Sequence, residues 1–133
     1  MAILVDSSVF IEIERRGQSL DGLEAFSQGE PIALAAISIS ELLVGAHRAD
    51  NLERRAQRER FVDRLLERFA VLSFDTQVAR IHSGLAANLQ ISGQTIGAHD
   101  LMIAATAIAH GYGVLTHNLR DFQRIPGLDV QRM

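Results

Sequence analysis

Short apolar runs alternating with helix-periodic stretches predict an α/β fold: a three-layer single domain with a central parallel sheet of four to five strands flanked by helices. Three observations carry this reading. Ile3 to Val5, Ile32 to Ala35, Val71 to Phe74, Val114 to Thr116 and, more weakly, Leu128 to Val130 are short and nearly all apolar, as strands covered on both faces are. Apolar residues at helical spacing fill the intervals, and strands that alternate with helices build parallel sheets. The 133 residues, 47% apolar and without cysteine, suit one core and need no disulfide staple. No repeat, low-complexity tract or linker interrupts the chain, so residues 1–133 are read as one domain.

The elements follow in order. Asp6 ends the first run and is placed to cap a helix beginning near Ser8. Gly17, Gly29, Gly93 and Gly111 stand where helices would end. After the second run, Ser38-Ile39-Ser40-Glu41 has capping-box spacing, and Ile39, Leu42, Leu43 and Ala46 continue at helical spacing. Val62, Leu65, Leu66 and Phe69 mark a helix whose other positions carry Arg54, Arg55, Arg58, Arg60, Arg64 and Arg68 among acids. Such mixed charge reads first as a solvated helix face, and second as a basic rim for a phosphate backbone. Asp75 is placed to cap the helix of Val78, Ile81, Leu85 and Leu89. Leu101 to Ala109 is apolar nearly all round, the pattern of a helix buried by the sheet or by the sheet and a second subunit.

Composition excludes several chemistries. Without cysteine there is no disulfide framework, thiolate zinc site, iron–sulfur cluster or cysteine nucleophile, so metal ligands are limited to oxygen and imidazole. GxGxxG, P-loop, HExxH and G-x-S-x-G signatures are absent. The opening Met1-Ala2-Ile3-Leu4-Val5-Asp6 lacks a basic flank and meets a carboxylate too early for a secretory segment. The apolar stretch from Leu101 falls short of the ~20 residues that span a bilayer. A soluble, cytoplasmic protein with no membrane association is expected. A net charge of -3 argues against bulk coating of nucleic acid, although a local basic rim remains open.

In open α/β sheets, ligands sit beyond the carboxyl ends of the strands. Asp6 follows the first strand, Glu41 lies one turn into the helix after the second, Asp100 opens the apolar helix before the fourth, and Asp121 lies just beyond the fourth. Each acid alone is explained by capping or by the helix dipole. Together, with Ser7, Ser8, Thr116 and Asn118 nearby and no lysine in the chain, they would repel one another unless a divalent cation neutralised them. Hard oxygen ligands favour Mg²⁺ or Mn²⁺, and such a cluster suits phosphoryl transfer to water. His99 and His117 flank the acids and are placed to touch a substrate, whereas His47, His82 and His110 read as surface or helix-end residues. A phosphoacceptor receiver domain would need a late lysine, which is absent; a catalytically silent RNA- or protein-binding module would be marked by loss of an acid, which is not seen.

Four segments carry a family resemblance: Ile3-Leu4-Val5-Asp6-Ser7-Ser8-Val9-Phe10-Ile11, Ser38-Ile39-Ser40-Glu41-Leu42, Ile96-Gly97-Ala98-His99-Asp100-Leu101-Met102-Ile103-Ala104-Ala105 and Thr116-His117-Asn118-Leu119-Arg120-Asp121-Phe122. In this order and spacing they resemble the PIN domain, and closely the VapC-like ribonuclease toxins of bacterial toxin–antitoxin pairs. The resemblance runs from Ile3 to about Leu128. It implies a Mg²⁺-dependent endoribonuclease, usually a homodimer, held inactive by a small cognate antitoxin. Asp6, Glu41 and Asp100 match the family's three acidic positions and Asp121 the fourth, with Asn118 serving beside or in place of Asp121. His117 stands where an Arg is common among relatives. Ser8 and Thr116 are placed to orient the carboxylates. For an antitoxin segment, the expected groove lies around Val9, Phe10, Ile13 and Leu43, with a basic residue of the segment reaching the acids.

Overall fold

The computed structural model describes every residue from Met1 to Met133. The elements are β1 (Ile3–Val5), α1 (Ser7–Arg15), α2 (Asp21–Ser27), β2 (Ile32–Ala35), α3 (Ala36–His47), α4 (Leu52–Arg68), β3 (Ala70–Leu72), α5 (Thr76–Ser92), α6 (Ala98–His110), β4 (Gly113–Leu115), α7 (Leu119–Phe122) and β5 (Val130–Gln131). The five strands form one sheet in the order β3-β2-β1-β4-β5, and every neighbouring pair is parallel. The chain steps from β1 outward to β3, then returns to the other side of β1 to add β4 and β5. The switch point therefore lies between β1 and β4, where such sheets open a crevice at their carboxyl ends.

Alternation along β1 divides the core into two layers, because successive strand side chains point to opposite faces. Ile3 and Val5 pack with Phe10, Leu23, Leu42 and Leu65 from α1 to α4. Leu4 turns to the other face, against Leu89, Ile103, Ala107 and Phe122 from α5, α6 and α7. This is the three-layer arrangement that the strand and helix patterns predict. Helix α6 packs on the sheet, α3 and α5, so one chain already buries Leu101 and the run from Ile103 to Ala107. No second subunit is needed to explain its apolar circumference. No helix is long and apolar enough to cross a membrane.

The α4 charges behave as a solvated face: Arg54 pairs with Asp50, Arg55 with Glu59, and Arg68 with Asp21 and Glu24. Gly93 and Gly111 close α5 and α6 at φ of 70° and 71°, a left-handed conformation that side chains with a Cβ resist.

Several elements differ from expectation. Helix α2 has no counterpart in the apolar periodicity, because seven residues interrupted by Gly22 are too few to show it. β3 ends at Leu72 and β5 begins at Val130, so the expected strands at Val71 to Phe74 and Leu128 to Val130 shift by one or two residues. β3 is an edge strand with Ala70 and Val71 exposed, rather than covered on both faces. Leu66 faces solvent. Val9, Phe10 and Ile13 are at most 2% exposed and belong to the core, so they cannot form the open groove expected of them. The apolar side chains that α1 and α3 present outward are Ile11 and Val44.

Asp75 caps α5 as expected, its Oδ1 accepting the Val78 N–H at 3.0 Å. Replacing it by Ala should cost about 1 kcal/mol, the usual value of an N-cap, equally with and without divalent cation. Thermal melts in EDTA and in Mg²⁺ check this.

Candidate active site

Asp6 leaves β1 at the switch point and occupies the N-cap position of α1, but its side chain makes no capping bond. The residue is 4% exposed. Oδ2 accepts Ser8 Oγ at 2.7 Å and Thr116 Oγ1 at 2.9 Å, the second from the loop just after β4. The two strands at the switch point are thus tied through the first acid. Thr116 Oγ1 also accepts the Asn118 N–H at 2.9 Å, and Ser8 Oγ accepts the His117 N–H at 3.2 Å.

Glu41 is not part of a capping box. Helix α3 begins at Ala36, three residues earlier than that spacing requires, so Ser38 falls inside the first turn with its hydroxyl buried and unpartnered. Freed from the backbone, Glu41 takes Ser7 Oγ on Oε1 at 3.1 Å and faces His99 Nδ1 with Oε2 at 3.3 Å. Asp100 lies in the first turn of α6, where the helix dipole favours a carboxylate. Its Oδ2 accepts Asn118 Nδ2 at 2.9 Å, and the same amide reaches Asp121 Oδ2 at 3.2 Å. Asn118 therefore stands between two acids as a donor. The four acids, Ser8, Thr116 and Asn118 all meet at one edge.

Electrostatics records the crowding. Burial, and next the charge of Asp6, push the Asp100 carboxyl up from 3.8 to about 6; Glu41 and Asp121 add to the rise and the Asn118 hydrogen bond opposes it. Counter-charge is sparse. Arg124, 3.9 Å from Asp121, is the one arginine paired with any of the four acids.

The sequence model of the PIN domain matches residues 3–128. The chain belongs to the PIN domain family. It is 37% identical over 130 residues, 98% of this chain and 95% of the relative, to a protein named ribonuclease VapC from Rickettsia bellii. A second relative, named tRNA(fMet)-specific endonuclease VapC, from Salmonella typhimurium, is 38% identical over 101 residues, 75% of this chain and 74% of its own. Among solved structures, DNA-bound VapBC from Salmonella typhimurium superposes with a TM-score of 0.88 at 26% identity, covering 99% of this chain and 98% of that one.

The donor set of this PIN domain suits a hard divalent cation. Asp6 Oδ1 and Asp100 Oδ1 receive no hydrogen bond, while the partner oxygen of each is held by hydroxyls or an amide. No three of the acidic or imidazole side chains already close on one point as a coordination sphere.

This PIN domain should pay for the cluster in stability when no cation is bound. Folding raises the Asp100 pKa, so its contribution is fully present below pH 3.8 and is lost as pH rises through about 6. Taken whole, the rise amounts to ~3 kcal/mol; the carboxyl is only half-buried, and solvent screening leaves ~1 kcal/mol. Asp100→Asn should therefore raise Tm by about 3–5 °C in EDTA at pH 7.5, with the gain shrinking below pH 5 and in Mg²⁺. A lower Tm in EDTA would mean that Asp100 acts chiefly as a helix-start residue.

Sequence reasoning singled out the acids and their hydroxyl partners. It missed Arg16, Gln18 and Arg132, which surround a cavity beside His117. The spacing of Val9, Glu12, Ile13 and Arg16 is one helix face and was available as a signal, but Arg132 joins them only through the placement of β5.

Proposed function

We propose that this chain is a Mg²⁺-dependent endoribonuclease, the toxin of a toxin–antitoxin pair, hydrolysing RNA phosphodiester bonds with Asp6, Glu41, Asp100 and Asp121 as its metal-holding residues. The observation that carries the proposal is the meeting of these carboxylates at the β1–β4 switch point, where burial first and then the neighbouring acids push the Asp100 carboxyl up. Names of relatives agree with it, since they are called ribonuclease and endonuclease.

Each residue has a part. Asp6, Glu41 and Asp100 supply oxygens to the cation, and Asp121 the fourth carboxylate. Mg²⁺, or Mn²⁺ in its place, supplies positive charge that draws in the RNA phosphate and makes water a stronger nucleophile. Ser8 and Thr116 fix the Asp6 carboxylate through Oδ2 and leave Oδ1 without a hydrogen bond, as outer partners of metal ligands do. Ser7 and His99 hold the two oxygens of Glu41 in the same way. Asn118 positions Asp100 and Asp121 by donating to both rather than replacing Asp121. No side-chain nucleophile is required.

The structural likeness to a VapBC complex supports a small VapB-like antitoxin as partner. We infer a homodimer as the working form, in the cytoplasm. Incubating the purified chain with total RNA in Mg²⁺, Mn²⁺ or EDTA tests the reading. Cleavage with either cation and none in EDTA is expected; equal cleavage in EDTA would overturn it.

A further inference from the structure

Beside the acid cluster lies a cavity of ≈ 400 Å³, at the lower end of the size range of small-ligand pockets. One face of α1 forms its floor, where Val9 and Ile13 belong to the core, and the apolar surface that the cavity offers comes from the exposed Met133. Its rim comes from the carboxyl ends of the neighbouring strands β4 and β5, through His117 and Arg132, and from Arg16 and Gln18 beyond the end of α1. The rim is rich in unused donors. The Arg132 guanidinium, the Gln18 amide and the His117 ring have no hydrogen-bond or ion-pair partner in the chain, and the one acidic side chain in the lining, Glu12, is engaged by Arg15 and Arg16.

The cavity touches the catalytic cluster through one hydroxyl. Ser8 Oγ receives the His117 N–H at 3.2 Å and donates to Asp6 Oδ2 at 2.7 Å. A strand whose phosphate sits at Asp6 must pass over or away from this opening. Charge favours entry: the acid cluster repels a polyanion, while Arg16 and Arg132 attract one.

We propose that this cavity is a subsite for the nucleotide adjoining the scissile phosphate of single-stranded RNA, an inference that rests on the ribonuclease reading. Arg132, with Arg16 beside it, binds that nucleotide's phosphate through the planar guanidinium fork. The ribose and base lie against the exposed Met133 side chain, with Gln18 and the His117 ring as hydrogen-bond partners. Arg132 is thus a substrate-positioning residue acting in binding.

The test uses the full chain, a labelled single-stranded RNA oligonucleotide and fluorescence anisotropy in EDTA, with cleavage of the same oligonucleotide in Mg²⁺ measured separately. Arg132→Gln should weaken binding about 5- to 10-fold and lower the salt slope of log affinity by about 0.7, the loss of one phosphate contact to a single strand. In Mg²⁺ it should raise KM more than it lowers kcat. Arg60→Gln, an exposed position on α4, removes the same charge elsewhere and should change neither quantity. Arg132 is exposed and unpaired, so the variant should fold, which circular dichroism verifies. Wild-type affinity and salt slope in Arg132→Gln, or equal losses in Arg60→Gln, overturn the subsite while leaving the nuclease reading intact. Weakened binding without any cleavage by the unaltered chain would keep the subsite as an RNA contact and reject the nuclease. Absence of RNA binding by the unaltered chain overturns the subsite outright.

Discussion

Asp6→Asn, Glu41→Gln and Asp100→Asn should each reduce Mg²⁺-dependent RNA cleavage by about a thousandfold or more, with the circular dichroism spectrum unchanged. A cation contributes several kcal/mol to stabilising the charge that develops in phosphoryl transfer, and each 1.4 kcal/mol is a factor of ten in rate. Every substitution removes one negative charge from the cation's surroundings while keeping the volume of the side chain. Folding survives because the oxygens that matter to neighbours can be reproduced: an amide carbonyl can accept from Ser8 and Thr116 at position 6, from Ser7 at position 41 and from Asn118 at position 100. Asp121→Asn should be milder, about 10- to 100-fold, as losses at the periphery of metal sites are. Asp121 is held only by the long contact from Asn118 and the distant Arg124, and one remaining oxygen can still serve. Activity on total RNA, with Mg²⁺ titrated for each variant, is the measurement. Wild-type rates in any folded variant of the first three would remove that residue from the metal-holding set.

These four acids were legible in the sequence because of where they fall relative to strands, not because of any local motif. Asp6, Asp75, Asp100 and Glu41 all stand near a strand end or helix start, and local chemistry alone treats them alike. Asp75 does cap its helix, whereas Asp6 occupies the cap position yet spends its carboxylate on Thr116, 110 positions away. Capping fails for Glu41 because the backbone turns helical at Ala36, a boundary that the Ala35-Ala36 pair gives no sign of. The choice between Asn118 and Asp121 stayed open for the same reason. Only the approach of α6 to the loop after β4 makes Asn118 a donor to two acids at once.

Fold class was legible because β1, β2 and β4 are buried strands with helices between them, and their runs are plain. Edge strands were harder. β3 and β5 bury one face at most, so packing constrains their composition less and their boundaries drift. The groove expected at Val9, Phe10 and Ile13 failed for a different reason: helical spacing identifies an apolar face but not which layer claims it, and the sheet together with α2 and α4 claims this one. The Arg132 cavity depends on β5 lying beside β4, a long-range pairing that no local pattern encodes.

Thr116→Val is expected to lower both stability and activity, by about 2 kcal/mol and about 10- to 100-fold. The side chain is fully buried, and valine is nearly its shape, so no cavity forms and the effect isolates the hydroxyl. That hydroxyl donates to Asp6 Oδ2 and accepts the Asn118 N–H. Its loss leaves a buried carboxylate with Ser8 as its only donor and a loop N–H without an acceptor, each carrying part of its desolvation cost. Asp6 would then be free to rotate, and Asn118, which positions Asp100 and Asp121, would lose its tether; one hydroxyl thus governs three of the four acids. Thr116→Ser supplies the control. It keeps the hydroxyl and removes only a methyl, so it should cost about 1 kcal/mol of packing and leave cleavage near the parental rate. Chemical denaturation gives the stability, and cleavage at saturating Mg²⁺ gives the rate. Equal activity losses in the valine and serine variants would show that Thr116 acts by packing alone; a serine variant that retains activity while valine loses it places the hydroxyl in the machinery that holds Asp6.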